Sequence, residues 1–94
     1  MVKNTLNKDE NYLSVNIPNP FSELTVIKYA INSQGHNAEI RVTSMLGQQV
    51  KTYKLQSSKG IIVLDGAEMQ AGMYFYSLIV DGSVYESKTM VVQH

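Results

Sequence analysis

The sequence predicts an all-β protein: about seven antiparallel strands in two packed sheets. Three observations carry this. Runs rich in β-branched and aromatic residues recur with turn signals at about the 8–12-residue spacing of a sandwich. The run Gly72–Val80 and the run Ser83–Val92 flank Asp81-Gly82, a dipeptide that marks a hairpin. Little of the chain carries the three-to-four-residue apolar period of a helix.

The elements follow in order. Residues 1–11 are polar and charged, bury little, and read as a flexible lead-in ahead of a folded unit over 12–94. Tyr12 to Ile17 alternates, with Leu13, Val15 and Ile17 on one face of a first strand. Pro18-Asn19-Pro20-Phe21 ends it, because neither proline donates to a ladder and Asn19 is held extended by the proline after it. Phe21 reads as a plug over the end of the core. The segment is a rigid corner first and a recognition epitope second.

Leu24 to Ile31 is the second strand, with Thr25, Ile27, Tyr29 and Ile31 in one row. Asn32 to Asn37 is a loop. Ala38 to Met45 is the third strand, Ile40 and Val42 facing inward. Gly47 turns the chain, and Gln49 to Leu55 is the fourth strand, with Val50 inward and Lys51 and Lys54 solvated. Ile61-Ile62-Val63-Leu64 is a continuous apolar run, which reads as a strand buried on both faces. One helical turn fits between Asp65 and Ala71.

Side-chain parity sets the hairpin. A three-residue loop groups Tyr74, Leu78 and Val80 with Val84, Met90 and Val92, whereas a two-residue loop groups them with serines and Tyr85. The three-residue loop is therefore expected, with Gly82 at its left-handed position. Glu86 and Lys88 share the apolar face, which places the last strand at or near an edge, where charge discourages stray pairing. Such an edge also offers a route to a weak homodimer.

Composition narrows function. Apolar residues make up 44% of the 94, charged residues 17%, so one modest core is expected. Eight basic residues balance eight acidic ones, which argues against a nucleic-acid surface. Without cysteine there is no disulfide or thiolate chemistry. No apolar stretch opens the chain as a signal peptide does, so it reads as cytosolic or as a piece of a longer protein.

Catalytic and metal readings lack the residues they need. His36 in a polar loop and His94 are the two histidines, and no nucleophile-elbow motif accompanies them. Zinc would have no cysteine and no close histidine pair, and the acidic residues are too scattered for calcium. The glycines lack a phosphate-binding spacing. Tyr74, Phe75 and Tyr76 face alternate sides of a strand, so they pack a core rather than form one stacking platform. Tyr76 and Tyr85 remain candidates for exposure. No catalytic, metal or cofactor residue is expected.

Five segments occur in a telling order: Pro18-Asn19-Pro20-Phe21, Thr25 to Tyr29, Leu46 to Val50, Ala71 to Tyr76, and Lys88 to Val92. The series, spanning residues 12–94, resembles the C-terminal sorting domains of the type IX secretion system of Bacteroidetes-type bacteria. The resemblance implies an immunoglobulin-like sandwich ending a larger exported protein. It implies as partners an outer-membrane translocon, its shuttle component and a sortase-like protease that removes the domain; cleavage is expected in the polar stretch before Tyr12. Cargo of such domains reaches the cell surface, often on lipopolysaccharide, or the medium. The family's shared positions fall on Pro18, Asn19, Pro20, Gly47, Gly72, Tyr74 and Lys88, and Phe21 completes the first motif. Many members end in Lys or Arg where this chain has Gln93-His94. An accessory adhesion or carbohydrate-binding module is the alternative, and it requires an exposed aromatic platform.

Overall fold

The computed structural model describes residues 11–32 and 37–94. Most of the polar lead-in and His36 therefore lie outside the described residues. Among the described residues seven strands form: β1 (Tyr12–Leu13), β2 (Leu24–Ala30), β3 (Ala38–Ser44), β4 (Gln49–Lys54), β5 (Lys59–Asp65), β6 (Gly72–Val80) and β7 (Ser83–Val92). A 3₁₀ turn, Gly66–Glu68, joins β5 to β6. All pairings between strands are antiparallel, in sheets ordered β1-β2-β5 and β4-β3-β6-β7. This is the expected two-sheet sandwich, with three strands against four as in immunoglobulin-like domains. Among the described residues no helix is long and apolar enough to cross a membrane.

Alternation places the core where β2, β3 and β6 predict it. Thr25, Ile27 and Tyr29 face Ile40, Val42, Tyr74, Tyr76 and Leu78, all buried. Met90, Val92, Leu64 and Leu13 complete the layer. The Tyr76 ring is fully buried at its centre, and its hydroxyl donates to the Ser14 carbonyl at 2.7 Å, tying the two sheets together. Core packing is thus the outcome for Tyr76, which the sequence also kept as a candidate for exposure; the long-range partner on Ser14 explains how a phenol is accommodated inside.

Burial pushes the Tyr76 phenol up to about 12. The proton is then held more tightly folded than unfolded. Stability is intact below pH 10 and falls as pH rises from 10 to 12, because the unfolded chain releases that proton first. The loss amounts to about 3 kcal/mol across that window. Tyr76→Phe is expected to remove this component, giving denaturation midpoints that vary less over pH 10–12.

Three extra residues displace the alternation. Leu13 pairs with Tyr29 and Ile17 with Val26, four steps along one strand against three along the other. The irregularity sits at Ser14, whose N–H donates to the Lys28 carbonyl while its Oγ accepts from the Lys28 N–H. Beyond it the faces exchange: Asn16 is buried, while Val15 and Ile17 are exposed. The expected inward row Leu13-Val15-Ile17 is corrected accordingly. In β4, Val42 pairs with Lys51 but Thr43 with Gln49, so Val50 is the unpaired residue and stands 40% exposed instead of inward.

The third irregularity replaces the three-residue hairpin loop. Val80 pairs with Ser83 across a two-residue turn, and both Asp81 (φ 51°) and Gly82 (φ 85°) are left-handed, as a type I′ turn requires. Parity is restored further on: Leu78 pairs with Glu86 but Ile79 with Val84, leaving Tyr85 as a bulge. Tyr74 thus faces Met90 as expected, whereas Val84 is exposed. β5 also differs. It is an edge strand, with Leu64 buried but Ile61 and Val63 facing solvent, so its apolar run covers one face of the core only.

Candidate functional site

Most of the residues singled out in the sequence converge on one end of the sandwich. There the corner after β1 meets the far end of β7. Phe21 N–H donates to the Val91 carbonyl at 3.0 Å, and Gln93 N–H donates to the Phe21 carbonyl at 2.8 Å. Asn19 Oδ1 accepts from the Val91 N–H at 2.9 Å. The corner therefore runs parallel to β7 for one bridge, Phe21 beside Val92, and covers the end of an otherwise open edge. The Phe21 ring is 3% exposed, the plug the sequence predicts.

A buried polar set holds the corner in place. Asn16 Nδ2 donates to Thr25 Oγ1 (3.1 Å) and to the Pro18 carbonyl (3.2 Å), and Thr25 Oγ1 donates to that carbonyl at 2.7 Å. Thr25 is fully buried and Asn16 nearly so. These bonds fix Pro18 before the chain crosses to β7. Ile17-Pro18 and Asn19-Pro20 are both cis. Sequence alternation turned Asn16 outward, and so missed its role. Its signal was a polar residue that becomes buried only once the Ser14 bulge is known.

The other motif residues gather round this clasp. Gly72 opens β6 opposite Val92, and Tyr74 lies opposite Met90 with its hydroxyl donating to the Gln70 carbonyl at 2.7 Å. Gly47 (φ 88°) sits in the β3–β4 turn, where its N–H donates to the carbonyl of Ser44, which pairs with Tyr74. Met69 is buried there, and its carbonyl is 2.9 Å from His94 Nε2. Across the same end, Glu68 meets Lys51 at 3.0 Å, and this hydrogen bond, before the nearby Tyr53, raises the ammonium above its ordinary value. Both side chains are well exposed, so the pair adds little stability.

Lys88 stands apart. It pairs with buried Tyr76 in mid-β7 and turns its ammonium to Glu86 at 2.9 Å. As the sequence predicts, both are inward-pointing charges on an edge strand. The arrangement offers a surface and a tied-down strand end, built from main-chain bonds and packing.

The family model described as "Secretion system C-terminal sorting domain" matches residues 15–93. Neither the curated proteins nor the solved structures contain a significant match. The match takes in both halves of the clasp, the corner at Pro18–Phe21 and the end of β7, together with every strand after β1. Its extent over more than half of the chain, on an all-β sandwich, is decisive: the chain belongs to the C-terminal sorting domains of the type IX secretion system.

Proposed function

We propose that this domain is the signal by which a larger protein is delivered through the type IX secretion system. The family supports a secretion-signal role, recognition by that machinery and export to the cell surface or medium; its members are generally non-catalytic. The finer reading is ours. The folded sandwich is handed to the outer-membrane translocon and its shuttle component, and a sortase-like protease then cuts in the polar stretch before Tyr12, most of which lies outside the described residues.

The observation that carries this reading is the family match over residues 15–93. The clasp adds a physical reason for a folded signal. Its two halves are 72 residues apart in sequence, so the surface they make exists only in a completed domain. The adhesive alternative needs neighbouring exposed aromatics. Tyr12 and Tyr85 are 53% and 48% exposed but belong to different sheets.

A gain-of-function assay tests the proposal. The 94-residue chain is fused behind a reporter carrying a periplasmic export signal, in a bacterium with a working type IX system. The reporter is expected on the surface or in the medium, and in the periplasm when the translocon is deleted. Periplasmic retention in the intact strain, with the domain folded, would reject the proposal.

A further inference from the structure

The sandwich has four edge strands, and three carry devices against pairing. β1 is two residues long and ends at the Ser14 irregularity. β4 carries Lys51, Lys54 and a bulge. β7 carries the Tyr85 bulge, inward Glu86 and Lys88, and the clasp. β5 carries none of these. Between Lys59 and Asp65 it is Gly60-Ile61-Ile62-Val63-Leu64, regular along its whole pairing with β2. A regular, unbulged apolar edge of this kind is what folded proteins ordinarily suppress.

The hydrogen-bond phase shows what the free side presents. Gly66 N–H bonds to the Glu23 carbonyl, and Ile31 N–H bonds to the Ser58 carbonyl. Even-numbered residues of β5 therefore bond toward β2, because narrow and wide pairs alternate along an antiparallel ladder. The odd-numbered Lys59, Ile61, Val63 and Asp65 turn their backbone groups outward. The Lys59 carbonyl accepts from Ser57 Oγ. The backbone groups of Ile61 and Val63 have no partner among the described residues.

We infer that β5 is a homotypic interface: two copies of this chain pair antiparallel through it, joining their three-stranded sheets into one of six. The strand is self-complementary about Ile62. Antiparallel pairing on a two-fold axis through Ile62 sets Ile61 opposite Val63 of the partner subunit, and Lys59 opposite Asp65 of the partner subunit. These four positions are the ones with outward backbone groups, so each facing pair exchanges two hydrogen bonds. Ile61 and Val63, 57% and 47% exposed, meet on the outer face. Opposite charges meet at both ends, where a parallel or shifted pairing would leave them unmatched. The strand's charges and outward backbone groups match those of its own copy in this register, so the second copy is the occupant the strand fits. A two-fold contact of this type closes on itself and yields a dimer rather than a filament.

Light scattering on the eluting protein over a concentration series tests this. A monomer–dimer equilibrium is expected, with amide exchange at Ile61 and Val63 slowing as concentration rises. Lys59→Glu sets like charges together at both ends and is expected to weaken the dimer about tenfold. Adding Asp65→Lys to it restores opposite charges and is expected to recover dimerisation. Asp65 Oδ1 also accepts from the Ala67 N–H, so folding of the double variant is checked by circular dichroism. Should the double variant be misfolded, wild-type exchange and Lys59→Glu alone decide. A chain that stays monomeric throughout overturns the inference, as does a dimer indifferent to Lys59→Glu or with unprotected Ile61 and Val63 amides.

Discussion

Removing Met90 to His94 is expected to abolish cooperative folding at 25 °C. Two side chains from the middle of the core go with the segment, Met90 at 0% and Val92 at 1% exposure. Each such loss costs about 2–5 kcal/mol, against about 5–15 kcal/mol for a whole domain. The start of β6 also loses its partners, since Gly72, Met73 and Tyr74 pair with Val92, Val91 and Met90. Phe21 and Asn19 lose their bonds to Val91 and Gln93. Removing only Gln93 and His94 is a mild change, deleting the bonds to the Phe21 and Met69 carbonyls and leaving the core intact. Far-UV circular dichroism melts distinguish the two. A sharp transition at an unchanged temperature in the longer truncation would show that the end of β7 is dispensable to the fold. The contrast bears on sorting too. Failed export of the longer truncation reports a missing domain, whereas failed export of the shorter one, still folded, reports a contact made by the tail itself.

Much of this architecture was legible because alternation is strict where strands are regular. Ile27 and Tyr29, Ile40 and Val42, and Tyr74 and Leu78 are buried as the period of two predicts. Where it failed, one inserted residue was responsible. A bulge shifts every later side chain to the other face, yet Ser14, Val50 and Tyr85 carry no local mark of being the extra one. The hairpin illustrates this: the face grouping of Tyr74 with Met90 was right, but the compensating residue was Tyr85 in the strand, not a third residue in the turn. β5 misled for another reason. Four apolar residues in a row look the same whether a second layer or an unpaired edge lies beyond them. At the candidate site, Pro18 to Phe21 was recognisable as a corner with an aromatic plug. Its main-chain pairing with Val91 and Gln93 was not, because a parallel bridge between segments so distant in sequence depends on the whole topology.

Phe21→Ala is expected to cost about 3–5 kcal/mol, measured by denaturant unfolding. The ring is almost wholly buried, and the backbone beside it has been shaped to admit it. A Cβ placed on Gly66 would lie 3.0 Å from Phe21 Cε2 and 2.8 Å from the Ser22 carbonyl oxygen. The 3₁₀ turn at Gly66–Glu68 therefore closes directly over the ring, and truncating it leaves a cavity that this tight turn cannot easily fill. Asn19→Ala is the matched comparison. Asn19 is exposed and contributes one neutral hydrogen bond, to Val91, worth about 1 kcal/mol. The pair separates a rigid corner from a recognition epitope. For a corner, export of a fused reporter tracks stability: it falls with Phe21→Ala and survives Asn19→Ala. For an epitope, Asn19→Ala blocks export while the unfolding midpoint stays within that small shift. Because Phe21 holds the corner against Val91 and Gln93 from inside while Asn19 holds it from the solvent side, the two substitutions act on one clasp and differ in what they take from the core.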